Sequence, residues 1–338
     1  MIAPVASPLL GGLLAERLSW RWIFLIAVPI GLLLAACVHR LAPKAAQPRT
    51  TAALDSKGLT LLIVWMASLV AVLGLFRDRQ QAPQALPLVL AVFGLCGLGG
   101  FIAHARSHAH ALLDLRLFDE PRYAIANAVI CMAYAVGTSH TVLFPLWAHH
   151  GLGYSLQETG AMMPLWGLAA FVTSTWLAKT SSRIDACHAA AVGVALSAGV
   201  LGQRALYSHD APLVLLLASC LVQGTGMALI LVPLSSWGLE GLAAQGHAAA
   251  TGLSSFVRSM SGSLGIAVTV LAWEAAVQRS GEPGLPGGPQ DALAVTWASG
   301  QVFGWSALLL LFALPWILNA PSRLKLESPC PNSPKHPQ

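Results

Sequence analysis

Residues 213–237 read LVLLLASCLVQGTGMALILVPLSSW, 25 positions without one charged side chain. As a helix rising 1.5 Å per residue the stretch would reach ~37 Å, enough to cross a hydrocarbon core of ~30 Å with some tilt. Apolar runs of similar length recur at 22–38, 58–76, 86–105, 123–147, 160–177, 189–206, 252–277 and 297–318, nearly all free of Asp, Glu, Lys and Arg. The bias is global: hydrophobic residues make up 56% of the 338 and charged residues 10%. A soluble domain carries about 25% charged residues. Mean hydropathy is +0.66. The expected fold is an all-α polytopic membrane protein with nine full spans. A tenth run, 1–15, would reach only ~22 Å as a helix and reads as a clipped span.

Basic residues give the orientation. With the C-terminus inside, thirteen of the 19 Lys and Arg fall on the inner side, including Arg40, Lys57, Arg116, Arg122 and Arg258. Arg17, Arg21, Arg77, Arg79, Arg204 and Arg279 then fall outside. Positive charge accumulates on the cytoplasmic side, so a cytoplasmic C-terminus is expected, with external loops near 77–84, 149–158 and 278–292. Charge placed this way is topology, and nucleic acid is not an expected partner. Three segments read as connectors: 42–58, the Gly/Pro-rich 278–292 and the tail 320–338 with its five prolines.

Six scattered cysteines form no C-x-x-C pair, so neither a disulfide framework nor a zinc site is expected. The histidines of HARSHAHA (104–111) read as a flexible loop without partner ligands, and no metal is assigned. No P-loop, H-E-x-x-H or G-x-S-x-G pattern occurs, so the chain is expected to be neither an enzyme nor ATP-driven.

The opening run carries two stripes of small or kinking residues, Ala3, Ser7, Gly11 and Pro4, Pro8, Gly12. Small residues admit a close neighbouring helix, and proline bends the helix it occupies. The stretch APVASPLLGG followed by SWRWIFLIAVPIG resembles the antiporter signature of the EmrB/QacA drug exporters, within the major facilitator superfamily. Here Ser7 stands for a glycine and Ala27 for the usual Asn. LFPLWAHHGLGYSLQETGAMMPLWGLA is similar to that family's ninth-to-tenth span junction, without its usual Gln near 148–149. LAKTSSRIDACH is similar to the second-half cytoplasmic loop motif, keeping Lys179, Arg183 and Asp185. LVQGTGMALILVPLSS and ATGLSSFVRSMSGSLGIAV resemble the twelfth and thirteenth spans of the EmrB branch.

The resemblance covers residues 1 to about 280 and implies a fourteen-span exporter seen from mid-span five onward. It divides the chain into the end of the first helical half (1–41), a cytoplasmic linker (42–57) and an inserted pair of spans (58–105). A cytoplasmic loop (106–122), a six-helix second half (123–318) and a disordered cytoplasmic tail (319–338) follow. It also implies proton antiport of lipophilic drugs in a bacterial inner membrane, with no cofactor beyond the coupling proton. A periplasmic adaptor and an outer-membrane channel are implied partners, besides the lipid bilayer and small lipophilic substrates. Two alternatives stay open: a non-transporting membrane scaffold, and an exporter of one specific metabolite. Because alternating access needs two halves, residues 1–338 alone are expected not to export.

Ionisable residues inside spans are functional candidates, because burial costs them about 2.5–3.5 kcal/mol on insertion scales. Arg258 shares a face with Ser254, Ser261 and Gly265; it either anchors a carboxylate or carbonyls in an inner gate or snorkels to the interface. Glu274 is either a proton site or an interfacial carboxylate paired with Arg279. His140 is either a neutral packing histidine or a proton relay. Asn127, Cys131, Tyr134 and Thr138 share one helical face. With Met163, Trp166, Gln223 and Met227 they are candidates to line a substrate cavity, against plain packing as the other reading.

Overall fold

A computed structural model describes residues 21–41, 55–77, 85–108, 111–180, 184–207, 211–243, 246–279 and 289–319. Among these residues regular structure is helical throughout, with no strand. The helices are α1 (Arg21–Leu41), α2 (Ser56–Arg77), α3 (Ala85–Ser107), α4 (Pro121–Leu146) and α5 (Leu156–Thr180). They continue as α6 (Ala186–Ala205), α7 (Leu213–Leu239), α8 (His247–Arg279) and α9 (Pro289–Phe312). Eight of them are long and apolar enough to span a membrane. The ninth, α1, has a shorter apolar stretch, Leu25–Arg40, and its described side chains are exposed. Every expected full run is therefore a helix, though the apolar stretch of α1 is shorter than those of the other eight.

Helices α4 to α9 pack as one bundle. α7 lies centrally, against α4, α5 and α6, while α4 crosses α8 and α9 closes on α6. The core between them buries Trp147, Phe303, Leu201, Leu216, Ile230 and Leu310. Close approach is built into the sequence at α8: a Cβ on Gly265 would run into the Ala135 backbone oxygen and sit 2.7 Å from its Cα. Thr138 Oγ1 donates across the same crossing to the Gly262 carbonyl, at 3.1 Å. The small-residue stripe of α8 thus faces protein, as small faces do where lipid gives no hydrophobic drive to association. α2 and α3 form a separate hairpin in which Gly97 sits against the Trp65 backbone.

The α4 terminus shows how sequence sets local form. Pro145 lacks an N–H, and the helix loosens beyond it into a π turn over Trp147–Gly151. The Leu152 N–H donates five residues back to the Trp147 carbonyl, and Gly153, at φ 76°, ends the element.

Two expected loops contribute residues to helices. His104 to Ser107 form the last turn of α3, and His104 Nε2 lies 2.8 Å from Asp55 Oδ1. Asp55 also accepts from the Gly58 and Leu112 N–H groups. That set of donors, Gly58 foremost, holds its carboxyl at about 2, below the ordinary 3.8. The reading of 104–111 as a wholly flexible loop is corrected accordingly: a carboxylate in the preceding connector captures the first histidine. The Gly/Pro-rich segment likewise yields at its end, where α9 starts at Pro289, a residue pre-set for a first helical position.

Candidate substrate and coupling site

Two clusters of polar side chains inside the α4–α9 bundle border cavities. The first lies near the π turn. His140, on α4, is buried and stacks on Phe303 of α9, with ring centroids 5.2 Å apart. Its Nδ1 faces Arg204 Nη1 at 3.5 Å. A guanidinium offers only donors, so this geometry assigns the Nδ1 lone pair as acceptor and the ring proton to Nε2. Arg204 is 2% exposed, and its Nη2 donates to Ser219 Oγ at 2.9 Å. The Ser219 hydroxyl in turn donates a hydrogen bond to the Leu216 carbonyl at 2.7 Å. The guanidinium also sits 4.8 Å above the centre of the Phe144 ring. A small cavity of about 30 Å³ opens among His140, Met163, Trp166, Arg204 and Gln223. Gln223 is 2% exposed, and neither its amide nitrogen nor its oxygen has a partner among the described residues.

Arg204 corrects the charge reading. Counted among external loop charges, it lies within α6, one residue before its end, with its head turned into the bundle. The signal was available: Ser219, Cys220 and Gln223 mark a polar face on α7, one that a neighbouring cation can use.

The second place lies toward the start of α4. A cavity of about 180 Å³ is lined by Tyr123, Asn127, Ser254 and Arg258, among others. The Arg258 head stands 5.3 Å from the Tyr134 ring centre. Its buried Nε and the Asn127 Oδ1 both lack hydrogen-bond partners among the described residues. Tyr123 donates to the Ala250 carbonyl at 2.7 Å and accepts from Ser254 at 3.0 Å, tying α4 to α8 beside the cavity. No described carboxylate lies within ion-pair distance of Arg258.

The remaining candidates separate. Tyr134 lies under Arg258 and is absent from the lining of the Arg204 cavity. Met227 is buried against Gly137 in the α4–α7 contact, so it packs helices together. Glu274 is half-buried on α8 without an ion pair among the described residues; the Arg279 side chain lies outside them. Asp185 caps α6, accepting from the Cys187 N–H at 2.8 Å and the His188 N–H at 3.2 Å. Those N–H groups, His188 first, hold its carboxyl below the ordinary value. Lys179 is exposed at the end of α5. Arg183, together with Pro4, Ser7, Pro8, Gly11 and Gly12, lies outside the described residues. Among the described residues no group of three metal-ligating side chains converges.

The model of the Major Facilitator Superfamily matches residues 1–266. The chain belongs to that superfamily. Among its curated relatives is a probable multidrug resistance protein, EmrY of Escherichia coli K12, 25% identical over 274 residues. That alignment covers 81% of this chain and 54% of EmrY. Multidrug export protein EmrB of the same organism is 25% identical over 276 residues, with the same coverage of each chain. A multidrug resistance protein B homolog of Mycobacterium tuberculosis H37Rv is 29% identical, over 79% of this chain and 50% of its own length. The chain spans about half the length of the curated relatives it matches. The EmrB-type resemblance carried by the motifs agrees with these relatives, and the chain is a multi-span membrane protein of this facilitator family.

Proposed function

We propose that this chain supplies the second helical half of a bacterial inner-membrane exporter of lipophilic compounds, driven by proton antiport. The observation that carries the reading is the facilitator match together with a six-helix bundle in which buried polar residues border two cavities, one beside Arg204 and one beside Arg258. Names of relatives such as EmrB and EmrY, which refer to multidrug export and resistance, support drug-like substrates. Transport in such folds proceeds by rocking one helical half against another around a midplane site. In this reading α5 presents Trp166 and α7 presents Gln223 to the substrate once rocking opens the space between them. Arg258 and Tyr134 act where α4 and α8 cross, as part of a gate. The geometry favours the packing role for His140, since its Nδ1 faces a permanent cation. Proton exchange is then assigned to Glu274 or to a group outside the described residues. The distribution of Lys and Arg supports a cytoplasmic C-terminus.

The test is dye efflux from cells carrying the intact gene, against cells deleted for it. Faster energy-dependent loss of a lipophilic dye in the first strain supports export. Identical retention in both strains, with the protein present in the membrane, overturns it in favour of a non-transporting role.

A further inference from the structure

We propose that the cavity beside Arg204 is a binding site for one monovalent anion, a halide or the carboxylate head of a small organic acid. The proposal concerns binding and stands whether or not the chain transports. Arg204 is 2% exposed, yet each acceptor around it is neutral. They are Ser219 Oγ at 2.9 Å, His140 Nδ1 at 3.5 Å and Cys220 Sγ at 3.7 Å, with the Phe144 ring beneath. Among the described residues no carboxylate lies within ion-pair distance. A guanidinium has five N–H groups, and this set leaves an Nη1 proton without an acceptor. A buried charge without a counter-charge is costly, so the arrangement is complementary to a negative group.

A second, independent observation points the same way. Gln223, also 2% exposed, lines the same cavity, and its amide nitrogen has no hydrogen-bond partner among the described residues. Two unspent donors, one of them cationic, thus border a space of about 30 Å³. A single water needs ~10–15 Å³, so the space suits one small ion or head group. Phe144, Met163 and Trp166 give much of the wall an apolar surface, which disfavours a strongly hydrated divalent ion. The thiol of Cys220, the imidazole of His140 and the hydroxyl of Thr141 also line the space and contribute no negative charge.

The test is thermal unfolding of the full chain in nanodiscs, with chloride or butyrate titrated against MES at constant ionic strength. The MES sulfonate is too bulky for the space. The expected result is a saturable rise of a few degrees in the unfolding midpoint, absent with MES. Stabilisation by chloride alone identifies a free inorganic ion; stabilisation by butyrate that chloride competes away identifies a carboxylate head group. Arg204→Met should abolish the effect, and Gln223→Leu should weaken anion affinity about tenfold. If Arg204→Met does not fold, Gln223→Leu decides. An anion-independent midpoint in the native chain would overturn the proposal. That is the outcome if Asp210, which lies outside the described residues, neutralises Arg204. Equal anion affinity in the native chain and Gln223→Leu would overturn it as well.

Discussion

Two glycines of one helix give a matched pair of perturbations. A Cβ added at Gly252, early in α8, meets nothing within 4 Å, whereas at Gly265 it runs into the Ala135 backbone. Ala in place of Gly raises helix stability by about 0.5–1 kcal/mol at either position. That gain is common to both variants and cancels in their difference. What remains is the cost of overpacking at Gly265, about 1–3 kcal/mol, since the obstacle is backbone and cannot rotate away. At about 2–4 °C per kcal/mol, the unfolding midpoint of Gly265→Ala should fall below that of Gly252→Ala by about 2–12 °C. Thermal unfolding of both variants in nanodiscs measures this directly. Relief of the clash would separate α4 from α8, and Ala135 adjoins Tyr134, which carries the Arg258 head. Efflux should therefore fall in Gly265→Ala and hold in Gly252→Ala. Equal midpoints would refute the α4–α8 crossing as described.

Arg258→Ala, placed in the gene as its cells carry it, should abolish efflux with membrane abundance near normal; Arg258→Lys should restore it only in part, because an ammonium does not reproduce a planar fork over Tyr134. Drug resistance unchanged in Arg258→Ala would return this residue to the snorkelling reading. Asp55 has a folded pKa of about 2, below its ordinary 3.8, so its contacts stabilise the α2–α3 hairpin above the ordinary value and are lost as pH falls through about 2. Hydrogen exchange at Gly58 and Leu112 should accelerate over that window relative to the rest of α2 and α3, and Asp55→Ala should remove the difference. A cysteine at Gly287 should react with an impermeant thiol reagent added outside the cell, and labelling at Ser328 instead would invert the topology.

Much of the fold was legible because membrane solvent imposes a simple rule: an uncharged run of about 20 residues must close its own hydrogen bonds as a helix. Each of the nine runs is accordingly a helix, and the stripe Ser254–Ser261–Gly265 faces a protein neighbour. Less of the site was legible, since a helical period says which residues share a face but not which helix the face meets. Tyr134 and Met227 lie on expected faces, yet one supports a guanidinium and the other fills the space over Gly137. Arg204 was hidden by the charge rule itself, which treats basic residues near a span end as loop markers. Its long side chain reaches back from the last turn to Ser219 on the next helix. Asp55 was hidden in the same way, inside a connector that composition alone marks as unstructured.

Coupled export is tested most directly in everted membrane vesicles. Vesicles carrying the gene product, given an acid interior by an imposed pH gradient, should accumulate a lipophilic dye in exchange for protons and release it when a protonophore collapses the gradient. Arg258→Ala vesicles with the same protein content should accumulate none. Dye accumulation that persists after the gradient is collapsed, or that never exceeds that of vesicles lacking the protein, would contradict the account.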